Sequence, residues 1–344
     1  MNFSYNYDYF YANNDTVSNL ETQRRNEMYP IDWVAIAMYI IVFLVGVPGN
    51  ALVVWVTIFD MKKTVNTVWF LHLAVADLLC CLSLPVSIME AILRHWPLGL
   101  LACKFIPSLL LVNMYASVLL LTVISMDRCA MVLKPVWCQN NRTLKKAYVA
   151  CAVIWILAFL MSTPAFIFRY TSVEDNEGTE ICVYNYVLVL DHKHKVENSI
   201  ASFRLLMGFV IPFLVITVCY GLLLKSVRER FSQSTKTLKV ILTVIIGFFI
   251  CWLPYHITAI ILATNEPSSA LFNITAKVDT IFIALAFVNS SINPIIYVFM
   301  GQDMKSKFKR SISLRVKVAL EEDTSQSHDK KSKSSNTKNK ENTV

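Results

Sequence analysis

Charge is what this chain of 344 residues has little of: Asp, Glu, Lys and Arg make up 16% of it, against roughly 25% in an ordinary soluble domain. Hydrophobic residues reach 55%, and the mean hydropathy is +0.50. That balance excludes a soluble globular fold and points to a chain living mostly in lipid. The first thirty residues lack both an apolar core and a small-residue cleavage site, so no cleavable signal peptide is read there. The first apolar run is then expected to act as its own targeting signal. A CxxC pair of the zinc-binding kind is also absent. Residues 278–300 contain no lysine to form a retinal Schiff base. The two intramembrane histidines, His72 and His256, sit in no nucleophile–base or metal motif, which speaks against a membrane enzyme. No internal symmetry is visible, which speaks against a transporter built from inverted repeats.

What is there is a series of seven apolar runs, each long enough to cross a bilayer, for which roughly 20 residues suffice. They are expected at about 33–59, 67–93, 101–132, 147–168, 200–225, 237–264 and 276–300. The fold expected is an all-α membrane protein, a seven-transmembrane helix bundle with the N-terminus outside. Orientation follows from Lys and Arg in the short loops. "DMKK", "LKPVWCQNNRTLKK", "LKSVRERFSQSTKTLK" and the segment after residue 300 hold 22 of the 32 basic residues, so these are read as cytoplasmic. The net charge of +8 is then a cytoplasmic face meeting anionic lipid and acidic partners, and not a nucleic-acid signal. Residues 1–32 form an acidic, Tyr-rich outer tail, 33–300 the bundle, and 301–344 a cytoplasmic segment. The last begins with "DMKSKFKRSISLRVKVAL", suited to an amphipathic helix on the inner leaflet, and ends in a polar stretch expected to be disordered. Of nine cysteines, seven (Cys80, Cys81, Cys129, Cys138, Cys151, Cys219, Cys251) fall in spans or at their cytoplasmic ends. Cys103 and Cys182 remain as the single candidate disulfide. On the outer side lie the glycosylation sequons at Asn2, Asn14 and Asn273.

Ionisable groups inside a membrane are costly and need a reason. Asn50, Asp77, Ser117, Asn289 and Asn293 lie in spans one, two, three and seven. They serve either as interhelical hydrogen-bonding glue or, since a lone buried carboxylate must be protonated or hold a cation, as an allosteric sodium pocket. No other cofactor is expected. Asp127 and Arg128 sit near the cytoplasmic end of span three. Pro48, Pro85, Pro164, Pro212, Pro254 and Pro294 put a possible kink in almost every span.

Taken in order, "GN" at 49–50, "LAVAD" at 73–77, "MDR" at 126–128, Trp155, Pro212 with Tyr220, "CWLP" at 251–254 and "NPIIY" at 293–297 resemble the rhodopsin-like G-protein-coupled receptors. Within that family, "FLVGVPGNALVVWVT", "LHLAVADLLCCLSLP", "NMYASVLLLTVIS", "KPVWCQN" and "STKTLKV" are similar to the complement anaphylatoxin receptors. A weakly coupling paralogue in that group lacks the arginine after the aspartate, whereas Arg128 is present here, as is Tyr297. Chemokine, formyl-peptide, chemerin and component 3a receptors are the alternatives.

The resemblance implies roles. The disulfide would pin the second outer loop over the bundle mouth. Arg204 and Asp279 lie among apolar residues in the outer thirds of spans five and seven, and Arg169 ends span four. Either they satisfy one another, or Asp279 takes the guanidinium of a ligand's C-terminal arginine while Arg204 and Arg169 take its carboxylate. Glu197 would meet basic ligand residues, and Lys277 competes for Asp279. Trp252 with Pro254 is the expected toggle beneath this pocket. Arg128 would leave Asp127 to engage a heterotrimeric G protein of the inhibitory class, with Tyr220 and Tyr297 holding the opened bundle. Thr324, Ser325, Ser327, Ser332, Ser334, Ser335 and Thr337 are phosphorylation candidates for arrestin recruitment. In "YNYDYFY", residues 5–11, Asp8 flanks Tyr7 and Tyr9, the first candidates for sulfation, followed by Tyr5 and Tyr11. Sulfated, the tail would capture a basic ligand core before its end enters the pocket.

Overall fold

In lipid every backbone N–H and C=O must be paired within the protein, so long apolar runs become helices. A computed structural model describes residues 28–173, 180–186, 192–229, 235–266 and 268–300. Among these, seven helical spans are long and apolar enough to cross a membrane. Span one is Pro30–Trp55, continued by a π-helical turn at Val56–Asp60; span two is Val65–Leu93. Span three comes in two pieces, Gly99–Phe105 and Ser108–Leu133; span four is Leu144–Phe168. Span five runs Lys193–Leu205, Leu206–Val210 as a π-turn, then Ile211–Glu229; spans six and seven are Thr235–Thr264 and Ala270–Met300.

The helices outrun the apolar runs. Span five starts at Lys193, not near 200, and span seven at Ala270, not near 276. Hydropathy marks the stretch that lipid covers, whereas a capped helix continues into water. Ser269 supplies such a cap, with Phe272 N–H donating to Ser269 Oγ at 3.1 Å. Thr64 does the same for span two, accepting from Thr67 N–H at 3.2 Å. The sequon at Asn273 therefore sits on helix, with Asn273 exposed and Thr275 buried. Pro107 breaks span three, because it cannot donate to the carbonyl four residues back.

The fold is not purely helical. Strands β1 (Arg169–Val173) and β2 (Glu180–Tyr184) pair antiparallel, with Arg169 opposite Tyr184 and Thr171 opposite Cys182. The Cys103–Cys182 disulfide ties β2 to the start of span three, and Trp96 N–H donates to Glu180 O at 2.6 Å. The hairpin is thereby fastened across one end of the bundle, called here the disulfide end.

Span three is the axis: 72% of its apolar window is buried, against 28% for spans four and five. Ile41, Leu44, Leu160, Val218 and Ile250 point outward, as a lipid-facing surface requires. Pro48, Pro85, Pro164, Pro254 and Pro294 are inside helices. Pro212 follows the π-turn of span five and has no N–H to give to the carbonyl of Gly208 four residues back. Spans one and seven approach closely at Gly49, where an added Cβ would stand 2.9 Å from Pro294 Cβ.

Candidate functional site

At the disulfide end the chain gathers buried charge. Arg169, on β1, is 1% exposed; Arg204, on span five, 6%; Asp279, on span seven, 5%. Arg204 Nη1 donates to Tyr255 Oη at 2.6 Å. Arg169 Cζ lies 4.5 Å above the centre of the Tyr184 ring, and its Nη1 is 3.6 Å from Cys182 Sγ. The β-hairpin register accounts for that placement, since Tyr184 is opposite Arg169 across the two strands. Burial pushes the Tyr184 hydroxyl up, but the Arg169 and Arg204 guanidinia outweigh it and hold it below the usual phenol value. Tyr184 thus joins the two arginines into one basic pole.

Asp279 carries the opposite charge at the same end. Its Oδ1 accepts from Thr258 Oγ1 at 2.5 Å, and it forms no ion pair among the described residues. Lys277 is exposed and does not reach it. Asp279 is thus held by a neutral hydroxyl, with Arg204 among the charges that act on it. Glu197 is buried, with His194 Nδ1 at 3.9 Å from its Oε2. It also faces Tyr186, whose hydroxyl is pushed up by burial first and then by Tyr184 and Glu197.

Beneath Arg204 an aromatic column descends into the bundle. Tyr255 stands edge-on to Trp252, with ring centroids 5.6 Å apart, and Trp252 packs on Phe248 at 6.0 Å. His256 is buried beside Phe209 and Trp252. Trp252 and Pro254 are where the motif reading put them. Tyr184, Tyr255 and Thr258 were not singled out from sequence. A helical-wheel count from Trp252 would have found Tyr255 and Thr258, at successive steps of three residues, on the face toward Asp279. Tyr184 has no such signal, because its place depends on strand register.

Midway down, Asp77 Oδ2 accepts from Asn293 Nδ2 at 2.7 Å, and Asp77 Oδ1 is buried without a hydrogen-bond partner. Ser117 Oγ donates to Asn113 Oδ1 at 3.3 Å, and Asn113 Nδ2 to Ser290 Oγ at 3.0 Å. Asn50 Nδ2 donates to the carbonyls of Gly46 and Ser290, at 3.0 and 2.8 Å. Asn289 Nδ2 is buried and unpartnered. Asn113 and Ser290 also belong to this network and were not singled out from the sequence.

At the opposite end the expected Asp127–Arg128 pairing is corrected. Asp127 is clamped by Arg142, whose Nε and Nη2 donate to its two oxygens at 2.8 and 3.0 Å. Arg142 Nη2 also donates to Asn66 Oδ1 at 2.5 Å. The Arg142 guanidinium fork matches both carboxylate oxygens, so Asp127 is already engaged by another element. Arg128 Nε is buried without a hydrogen-bond partner, and the charges acting on Arg128 are Asp127 first, then Arg142, then Tyr220. The Tyr297 side chain lies outside the described residues. So do Tyr5, Tyr7, Tyr9, Tyr11, Asn2, Asn14, the segment after residue 300 and its phosphorylation candidates.

Known proteins match this arrangement. Residues 49–297 match the family described as 7 transmembrane receptor (rhodopsin family). The C5a anaphylatoxin chemotactic receptor 1 of Oryctolagus cuniculus is 45% identical over 329 residues, covering 93% of this chain and 92% of its own. The protein of the same name from Homo sapiens is 43% identical over 329 residues, covering 93% of each. That of Rattus norvegicus is 44% identical over 300 residues, 87% of this chain and 84% of its own. The chain belongs to the rhodopsin family of seven-transmembrane G-protein-coupled receptors and is a receptor, not an enzyme.

Proposed function

We propose that this receptor answers the complement component 5a anaphylatoxin, a basic protein ending in arginine, and drives chemotaxis and inflammatory signalling. The observation that carries the reading is the buried charge of both signs at the disulfide end. Asp279 is held by Thr258 within the field of Arg204, while Arg169 and Arg204 both act on Tyr184. A C-terminal arginine presents a guanidinium and a carboxylate a few bonds apart, and the two poles offer one partner to each. Glu197 receives a further basic group. The names and identities of the relatives support the same ligand.

In this reading the ligand carboxylate takes hold of Arg204, Arg204 moves Tyr255, and Tyr255 displaces Trp252. The bundle then shifts toward a pre-existing active state in proportion to the ligand's differential affinity for it. A G protein of the inhibitory class binds the opposite end through Arg128, and arrestin follows once the tail is phosphorylated. The chain lies in the plasma membrane with its N-terminus outside, because the basic loops crowd the end opposite the disulfide. The partnerless Asp77 Oδ1 among Asn50, Ser117 and Asn293 fits a sodium ion held by oxygens.

The test is a calcium-flux or cAMP assay with intact and arginine-trimmed component 5a. Wild type should prefer the intact ligand, and Asp279→Asn should shift preference toward the trimmed form. Equal losses for both forms would overturn the assignment. A response to component 3a, formyl peptide, chemerin or a chemokine in place of 5a would reassign the ligand.

A further inference from the structure

Where spans four and five meet at the disulfide end, a groove of about 340 Å³ runs between them. That volume lies at the small end of ligand pockets, which run from roughly 300 to 1,000 Å³. Span five gives one side to it. Lys195, Ser199 and Phe203 are four residues apart, one above another on the helix, with Ile200 beside them. Span four supplies Phe168, its last residue, and Pro164 one turn before it. The residues that span five buries, Glu197, Ala201 and Arg204, are not part of the lining. Lys195, Ser199 and Phe203 are exposed. The groove therefore lies on the outer, lipid-facing side of the bundle and is distinct from the charged site.

Polarity changes along it. Lys195, with His192 beyond it, stands at the end of span five nearest water. From Lys195 to Phe203 the helix advances about 12 Å. Over that length the polar groups run out. Ser199 Oγ donates to Lys195 O at 2.7 Å and so turns back on its own helix, while Pro164, Ile200 and Phe203 have no polar side-chain atom. Among the described residues Lys195 is in no ion pair, and Glu197, two residues on, is buried and meets His194 instead. A cation at the mouth and an apolar channel below it fit a molecule with an anionic head and a hydrocarbon chain. The groove opens sideways at the depth where head groups give way to hydrocarbon, so the bilayer itself is the nearest source of such a molecule. We propose that this groove holds one acyl chain of a phospholipid with a net anionic head, drawn from the leaflet at the disulfide end, with the head-group phosphate on Lys195 and His192. A zwitterionic head brings its own cation to the same place and loses most of the attraction.

The experiment uses full-length receptor in phosphatidylcholine nanodiscs doped with phosphatidylglycerol that carries a photoreactive diazirine on one acyl chain. After irradiation, labelled residues are mapped by peptide mass spectrometry. Labelling should concentrate on Phe168, Ile200 and Phe203, and should exceed that from the same chain on phosphatidylcholine by about fivefold, the worth of one lysine beside an anionic surface. Ile41 and Leu44 on span one, also exposed, report ordinary contact with bulk lipid. Lys195→Gln should erase the head-group preference in the groove and leave Ile41 and Leu44 unchanged. Ile200→Trp, which fills the channel, should lower labelling of Phe168 and Phe203 with either head group, and unchanged labelling of Ile41 and Leu44 shows that the variant is folded. Groove labelling no stronger than at Ile41 and Leu44, equal labelling by both head groups, or a preference that survives Lys195→Gln would overturn the proposal. Displacement of the label by free oleate but not by unlabelled phosphatidylglycerol would assign the groove to a free fatty acid and overturn it equally.

Discussion

Arg204 shows how much a single residue carries here. Its guanidinium is the link between the proposed ligand carboxylate and the aromatic column, through a 2.6 Å bond to Tyr255 Oη. Tyr255→Phe removes that bond but keeps the ring against Trp252. Ligand binding should then fall by about 10- to 100-fold, as expected for loss of one charge-assisted bond worth about 1.5–3 kcal/mol, while signalling per bound ligand falls further. A radioligand saturation curve read alongside G-protein activation separates the two effects, and a purely proportional loss would remove Tyr255 from the signalling path. Asp77 offers a second test at this scale. Sodium should weaken agonist binding in wild type and have no effect in Asp77→Asn, measured by agonist competition across a sodium titration at constant ionic strength. Sodium sensitivity that persists in Asp77→Asn would exclude the oxygen cage around Asp77 Oδ1.

At the scale of elements, closeness between helices sets what can be changed. An added Cβ at Gly46 would lie 2.5 Å from Cys81 Sγ, and one at Gly49 would lie 2.9 Å from Pro294 Cβ. The thiol can rotate away, whereas the proline ring is fixed to its helix. Gly49→Ala should therefore destabilise the solubilised receptor more than Gly46→Ala, by about 1–3 kcal/mol, read as a drop in melting temperature. The Arg142–Asp127–Asn66 clamp joins the loop after span three to the start of span two. Arg142→Gln should free Asp127 and raise basal G-protein turnover, because the active state no longer has to break a bidentate ion pair. Unchanged basal turnover would show that the clamp has the same strength in both states.

For the whole molecule the bundle has two electrically distinct ends. Lys193 and Lys195, at the disulfide end, should be labelled on intact cells by an impermeant amine reagent. An epitope after residue 300 should be reached only after permeabilisation. The reverse pattern would invert the orientation read from the basic loops. Reduction of Cys103–Cys182 should loosen the hairpin that places Arg169 and Tyr184. Mild reductant should then lower ligand affinity more than it lowers the yield of folded receptor.

The seven spans, the candidate disulfide and the deep polar positions were all legible in the linear sequence. Each rests on chemistry that lipid enforces locally: apolar length, a carboxylate that cannot stand alone, two cysteines outside the hydrophobic runs. Spans five and seven begin earlier, at Lys193 and Ala270, than the apolar runs do, and at Ala270 a Ser269 cap carries the helix past the stretch that hydropathy detects. The partner of Asp127 could not be read from its neighbour Arg128, since bidentate geometry favours a fork arriving from another element, and Arg142 supplies it. Sequence alone determined which residues must find partners in a medium without water; the tertiary structure decided which partners they found, because pairing depends on distances between helices that no local pattern encodes.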